Sequence, residues 1–370
     1  MSKIIYNFSA GPSTLPPKAT QEAAEAIKNF AGTGVGILEI SHRTPAVEGM
    51  VEDTGSTLRK LMGIPENYEI VYLGGGASLQ FCMVPFNLLD EDGKADYINS
   101  GVWANKALKE AKALASGVKE IATSKPDNYT HLPTEFTQTP GATYLHVTSN
   151  NTIYGTEYFE FPKAESGYLV SDMSSDILSR PINVSDFGLI YAGAQKNMSC
   201  AGVTVAIIRK DILGKVKRYI PTMLNYQTHI DGKSMFNTPP VFAIYVMNRV
   251  LHWLDDNGGI AEMEKVNIQK SGLLYDFLDN SKLFTNTVTV KEHRSRMNIP
   301  FVYRPGAVDP AKVDELQKEF IAYAKENGLQ QLKGHRSVGG FRASLYNAMP
   351  MEGVKELVRV MGEFEKKILG

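Results

Sequence analysis

The sequence predicts an α/β fold, a large sheet-centred domain joined to a smaller α+β domain, and three observations carry that expectation. At 370 residues the chain exceeds what one small core organises. From residue 69 short β-like runs alternate with helix-like segments, the pattern of a mostly parallel sheet with helices on both faces. Beyond residue 260 the texture shifts to long charged helices around two isolated strand-like runs.

Taken in order, "EIVYL" runs into "GGGASLQFCMVPFNLL" and "ADYINS" into "GVWANKALKEAKALA". "ATYLHV", "GYLVSD", "LIYAG" and "VTVAIIR" follow, each an apolar run closed by polar or turn residues, as buried strands are. "NTPPVFAIYVMNRVLHWLDDNGG" ends this region at Gly258-Gly259, a pair that stops one helix and lets another begin. Past it, "AEMEKVNIQKSGLLYDFLDN" and "DPAKVDELQKEFIAYAKEN" read as helices flanking "RMNIPFVYR" and "FRASLY". The expected division is a large domain over 16-258 and a small one made of 1-15 and 259-370.

Hydrophobic residues make up 43% of the chain and charged residues 21%, the balance of a folded globular protein. The formal net charge of -1 provides no overall basic field, so nucleic acid is not an expected partner and any anion must be held by local cations. Cys82 and Cys200 lie in apolar stretches without C-x-x-C spacing, which argues against a zinc site or a disulfide framework and suits a reducing cytoplasm. "MSKIIYNFSAGPSTLPP" has no apolar signal core, and the run "AGVTVAII" is far short of a membrane span.

Lys196, in "YAGAQKNMSC", stands between two apolar runs. A lysine past a strand end is ordinarily a surface charge. Here it falls at the C-terminal end of a strand in an α/β sheet, the edge where such folds bind ligands. A partly desolvated lysine has a lowered pKa, and its neutral amine can attack a carbonyl to form a Schiff base. Lysine chemistry of the pyridoxal phosphate kind needs an anion for the pyridine nitrogen, a phosphate cradle and a flat group against the ring. Asp172 ends the strand in "GYLVSD" and suits the first role, although an aspartate there also reads as a helix cap. Gly74, Gly75 and Gly76 precede a helix whose first residues, Ala77 and Ser78, present backbone N–H groups suited to phosphate. Trp103, at another strand-to-helix turn, can stack on a ring or simply fill core.

The segments "NFSAGPSTLP", "EISHRTP", "SDMSSDILSRPINVSDFGLIYAGAQKN", "SMFNTPP" and "LKGHRSVGGFRASLYNAMP", with the terminal "EGVKELVRVMGEFEKK", resemble the phosphoserine aminotransferases, class V, fold-type I pyridoxal-phosphate enzymes. The resemblance spans essentially the whole chain and implies a mostly parallel seven-stranded sheet. It implies that Lys196 carries pyridoxal 5'-phosphate, that Asp172 pairs with the pyridine nitrogen and that Trp103 stacks on the ring. It assigns Thr152 to the ring hydroxyl and Ala77, Ser78 and Gln195 to the phosphate. Asn237 and Thr238 match residues that reach the phosphate from a neighbouring subunit, which implies a homodimer with shared sites.

On the substrate side, Arg342 matches the group that binds the α-carboxylate. His42, Arg43, His335 and Arg336 match the groups holding a distal phosphate or the distal carboxylate of glutamate, a task suited to the planar fork of arginine. Many members carry an arginine soon after the glycine run; this chain reads "GGGASLQF", and no arginine is assigned there.

The implied reaction is a ping-pong amino transfer from glutamate to 3-phosphohydroxypyruvate, giving 2-oxoglutarate and O-phosphoserine for serine biosynthesis. The phosphohydroxythreonine pair of vitamin B6 biosynthesis offers the same two anionic handles and stands as an alternative substrate. A lyase of the same fold, such as a cysteine desulfurase, needs an exposed activated thiol, which neither cysteine offers in an apolar stretch. A non-catalytic phosphate- or nucleotide-binding protein is the alternative from another class, since fold does not fix function.

Overall fold

The computed structural model describes residues 3–370, which carry a seven-stranded sheet, a three-stranded sheet and nine α-helices. Across the large sheet the strands are ordered Tyr68–Leu73, Thr204–Arg209, Phe187–Gly193, Tyr168–Asp172, Tyr144–Thr148, Lys94–Asn99 and Gly117–Thr123. Thr204–Arg209 is antiparallel to both its neighbours, and every other pairing is parallel. Two reversals restore direction, so Tyr68–Leu73 runs the same way as Phe187–Gly193. Six strands therefore end at one edge of the sheet.

The central strands are buried along their whole length, as in Phe187–Gly193 and Tyr144–Thr148, because helices cover both faces. One core, which includes Ile190, Val205 and Ile207, lies under α1 (Pro17–Lys28), α2 (Pro45–Met62) and α6 (Val241–Asp256), helices that contribute Ala26, Val47, Leu58, Met247 and Leu251. The opposite face, with Tyr97, Leu189 and Ile208, packs on α3 (Gly76–Leu88) and α4 (Val102–Leu114) through Phe81, Val84, Ala107 and Leu108. Proline at the first turn of α2 and Gly63 in a left-handed cap at its end set its bounds.

After α5 (Tyr226–Asp231) and α6, α7 (Gly259–Asn280) starts against the large core through Ile260 and Met263 and ends in a third core through Leu274 and Leu278. That third core surrounds the antiparallel sheet Phe284–Asn286, Asn298–Tyr303 and Phe341–Ser344, closed by α8 (Val313–Glu326) and α9 (Met351–Leu369). Phe341 packs edge-on to Phe320 at 4.9 Å and stacks on Phe301 at 5.1 Å between ring centroids. Along α9, Val354, Leu357, Met361 and Phe364 recur at helical spacing and form its buried stripe.

Near the N-terminus, Tyr6–Asn7 pairs with Leu329–Gln330 and Phe8 enters the third core. The chain then crosses to the large sheet, where Ser13 N–H donates to the Gln195 carbonyl at 3.1 Å. Among the described residues no helix is long and apolar enough to cross a membrane.

Candidate active site

Five of the six like-directed strands deliver polar chain to the same edge. Tyr68–Leu73 leads to the glycine turn before α3, and Lys94–Asn99 to Trp103 in the first turn of α4. Tyr144–Thr148 leads to Asn150 and Thr152, Tyr168–Asp172 to Ser174 and Ser175, and Phe187–Gly193 to Gln195 and Lys196. They enclose a cavity of about 330 Å³ whose lining includes Gly76, Ala77, Ser78, Trp103, Thr152, Asp172, Gln195 and Lys196. Ala10 and Gly11 of the N-terminal crossing complete one wall, and His335 and Arg342 come from the other core. Two roomier clefts, of about 530 and 700 Å³, flank Phe159–Lys163, but neither combines a strand-end lysine with a buried acid facing it.

Lys196 Nζ donates to Thr152 Oγ1 at 2.8 Å. Thr152 Oγ1 donates onward to Ser175 Oγ at 3.1 Å, and Ser175 Oγ to the Asn150 carbonyl at 2.8 Å. Every hydroxyl in this file thus has a direction, and all of them present oxygen toward the lysine. Loss of hydration pulls the Lys196 amine down to about 8; Asp172 and Asp176 oppose that fall and Arg342 adds to it. An amine with that value is neutral in about a tenth of molecules at pH 7 and in about half at pH 8.

Asp172 is 5% exposed, and its Oδ1 accepts two hydrogen bonds from Ser174, at 2.9 Å from the backbone N–H and 2.6 Å from the hydroxyl. Ser174 Oγ in turn accepts from Gly193 N–H at 3.0 Å. Burial pushes the Asp172 carboxyl up, while Ser174 and Lys196 hold it down. The carboxylate is aimed by this double clamp and keeps its second oxygen for another donor.

At the opposite wall, Gly75 adopts φ 84° and caps α3, leaving the first N–H groups of that helix without partners inside it. Trp103 Nε1 and Thr148 Oγ1 are buried without a hydrogen-bond partner, and both residues line the cavity. Orphaned groups of this kind mark a cavity shaped for a polar occupant. Lys106 Nζ lies 4.5 Å from the Trp103 ring centroid.

Arg342 pairs across the small sheet with Pro300, and its Nη1 donates to the Thr152 carbonyl at 3.2 Å. It therefore ties the small sheet to the lysine's own partner. Burial lowers the pKa of Arg342, and burial together with the cations Arg342, Arg336 and Lys106 lowers that of His335.

Of the residues singled out in the sequence, Lys196, Asp172, Thr152, Ala77, Ser78, Trp103, Gln195, His335 and Arg342 meet in this one cavity. His42, Arg43, Arg336, Asn237 and Thr238 are not part of its lining. Arg43, Arg336, Asn237 and Thr238 are exposed, and His42 Nε2 is buried without a partner. Ser174, Ser175, Thr148, Asn150, Ala10 and Gly11 belong to the site and carry no sequence signal beyond their place inside "SDMSSD", "HVTSNNT" and "SAGPS". Among the described residues no cluster of His, Cys, Asp or Glu is arranged to hold a metal ion.

An open α/β sheet with a lysine and an acid facing each other at its C-terminal edge defines a transferase-like cofactor site. Residues 5–357 match the family described as Aminotransferase class-V, and the chain belongs to that family. It is 51% identical over 361 residues to a protein of Phocaeicola vulgatus named phosphoserine aminotransferase, covering 98% of this chain and 99% of that one. A solved structure describing radiation damage of the Schiff base in phosphoserine aminotransferase is 44% identical, with a TM-score of 0.94 over 99% of this chain and 100% of that one. The PLP-bound phosphoserine aminotransferase of Trichomonas vaginalis is 39% identical, with a TM-score of 0.91 over 97% of this chain and 99% of that one.

Proposed function

We propose that this chain is a phosphoserine aminotransferase, moving an amino group from glutamate to 3-phosphohydroxypyruvate with pyridoxal 5'-phosphate as cofactor, in serine biosynthesis. The observation that carries the reading is the Lys196–Thr152–Ser175 file facing Asp172 inside one cavity, with Arg342 at its border. Full-length relatives at about half identity bear that activity in their names.

Pyridoxal phosphate, when bound, supplies a carbonyl for imine exchange and a conjugated ring that takes up the electron pair left at the amino acid's Cα. The residues present fit it: a directed carboxylate, two orphaned donors, free helix N–H groups and a lysine whose amine burial pulls down to about 8. Asp172 is suited to hold the proton of the pyridine nitrogen. Ala77, Ser78 and Gln195 would receive the phosphate, Thr152 the ring hydroxyl and Trp103 the ring face. Lys196 Nζ would take the proton from substrate Cα and return it one step later, its reach limited by Thr152. Arg342 would hold the substrate α-carboxylate in a charge-assisted pair.

The assembled enzyme is read as a homodimer in which Asn237 and Thr238 complete the phosphate cradle of the opposite subunit. Their exposure, beside the exposed Phe236, Tyr219 and Met223, supports this. His42, Arg43, His335 and Arg336 then form the grip for the distal anion. The division at Gly258-Gly259, with residues 1-15 joining the C-terminal part, is likewise proposed; Phe8 and Leu274 sharing a core supports it. The near-neutral total charge and the two free cysteines suit a cytoplasmic protein without nucleic-acid or membrane partners.

The deciding experiment is the absorption spectrum of the purified protein before and after borohydride, with peptide mapping of the reduced adduct. A yellow protein whose adduct maps to Lys196, and whose visible band bleaches on adding glutamate or phosphoserine, is the expected result. A colourless protein that takes up no added pyridoxal phosphate would overturn it in favour of a phosphate-binding scaffold.

A further inference from the structure

Lys270, in the middle of α7, is fully buried at 0% exposure and lies outside the cavity described above. Its Nζ sits among four backbone carbonyl oxygens, those of Leu345 at 3.1 Å, Tyr346 at 2.9 Å, Asn347 at 3.4 Å and Met349 at 3.1 Å. No carboxylate pairs with it among the described residues, and burial is the sole cause pulling its amine down, to about 7. The four acceptors work in the other direction. An ammonium has three N–H groups to share among them, whereas a neutral amine would turn its lone pair onto a carbonyl oxygen. A ring of carbonyl oxygens around a single positive charge is the arrangement by which proteins replace the hydration shell of a potassium ion.

What the ring shapes is the turn between the strand that carries Arg342 and the start of α9. Two residues of that turn reach toward the lysine site. Asn347 N–H donates to Asn197 Oδ1 at 2.9 Å, next in sequence to Lys196. Its side-chain amide donates to the Leu178 carbonyl at 3.0 Å, and its Oδ1 accepts from Asn267 at 2.9 Å. Leu178, three residues past Ser175, has φ 64°, an unfavourable backbone for a branched side chain. Tyr346 hydroxyl donates to the Ala10 carbonyl at 2.7 Å, and Ala10 lines the cavity.

We infer that Lys270 is a built-in monovalent cation, whose ammonium closes the Leu345–Met349 turn and so positions Asn347 and Tyr346 against Asn197 and Ala10 beside Lys196. Lys270 touches neither substrate nor cofactor and acts through that turn, as a positioning residue. With the side chain truncated, the carbonyl ring becomes a vacant site for a small cation of the potassium or ammonium class.

The test is Lys270→Ala in the full-length chain, compared in choline, sodium, potassium, ammonium and methylammonium chloride at equal ionic strength. In choline its thermal midpoint is expected to fall by roughly 5–10 °C, and in potassium, ammonium or methylammonium to recover at least half of that, the parent showing no such selectivity. Leu274→Ala, one turn further along α7 in an apolar setting, should lose stability and recover with none of them. The effect on Lys196 is read without catalysis, in cofactor-free protein where its amine is free, from the pH dependence of its acylation by a small acid anhydride, mapped by peptide. Lys270→Ala in choline should displace that midpoint, and potassium should restore it.

A variant whose midpoint is unchanged, or is raised equally by choline and potassium, overturns the cation role. If Lys270→Ala does not fold, Asn197→Ala carries the question: it keeps the ring and removes the Oδ1 that accepts from the Asn347 backbone N–H. A Lys196 acylation midpoint identical to the parent's in Asn197→Ala overturns the positioning link. Neither readout needs the proposed reaction, so failure here and failure of the functional reading are separable.

Discussion

Ser174 Oγ and Asp172 Oδ1 stand 2.6 Å apart, with the Ser174 backbone N–H on the same oxygen and Gly193 N–H donating to the hydroxyl. One short side chain thereby fixes the orientation of the buried acid from the strand beside Lys196.

Asp172→Ala is expected to lower turnover far more than cofactor affinity, because the carboxylate matters most when charge develops on the ring. Ser174→Ala should be milder. It removes a charge-assisted hydrogen bond of roughly 1.5–3 kcal/mol, so kcat should fall by no more than about 10- to 100-fold with the cofactor still bound. Spectrophotometric titration with pyridoxal phosphate alongside steady-state kinetics separates the two effects. Unchanged turnover in Asp172→Ala would remove the acid from the mechanism.

Lys196 also makes a prediction about stability. Its folded pKa of about 8 lies below the roughly 10.4 of an unfolded lysine, so between those values the unfolded chain binds more protons and stability rises with pH. The cost of the buried ammonium is fully present below 8 and is relieved as pH climbs toward 10.4. Cofactor-free Lys196→Met should therefore unfold at a higher temperature than the parent at pH 7, with the difference vanishing near pH 10. Scanning calorimetry at several pH values measures it. The same variant should lose activity by at least about a thousandfold.

Arg342 binds Thr152 through a carbonyl and keeps donors free toward the cavity. Replacing it with glutamine should raise the KM for glutamate and phosphoserine alike by about a hundredfold, the worth of a charged pair of roughly 2–3 kcal/mol. Lysine there should recover only part of the loss, lacking the planar fork. A KM change confined to the phosphorylated substrate would move Arg342 from the α-carboxylate to the distal anion.

Shared sites can be tested by subunit mixing. A variant with Asn237→Ala and Thr238→Ala and a Lys196→Ala variant should each be inactive, while co-refolding them should restore about a quarter of the sites, one per hybrid dimer. No recovery, with hybrids shown to form, would place those two residues outside the neighbour's cavity.

The alternation of runs such as "GYLVSD" and "LIYAG" with helix-like segments was legible because buried parallel strands are continuously apolar. The observed strands Tyr168–Asp172 and Phe187–Gly193 cover those runs. Gly117–Thr123 went unread, since an edge strand with exposed Lys119 and Glu120 lacks that signature. α1 and α2 went unread as well: both begin at prolines, and α2 carries two glycines and two threonines in a helix held by tertiary packing. In the site, Lys196 stood out because a charge broke an apolar stretch. Ser174 and Ser175 did not, because serine is common in any turn and only the partner across space distinguishes it.

By itself, the sequence determined the fold class, the lysine at a strand end, the glycine turn before a helix and the acid closing its strand. Each depends on periodicity or on one residue's conflict with its neighbours, and such signals are local. Only the tertiary structure decided that Lys196 faces Thr152, that Arg342 enters from a second core, and that Lys270 gathers four carbonyls far away in sequence. These contacts join elements separated by up to 190 residues, as Arg342 and Thr152 are. Their partners are chosen by strand order and helix packing, and no pattern along the chain encodes that choice.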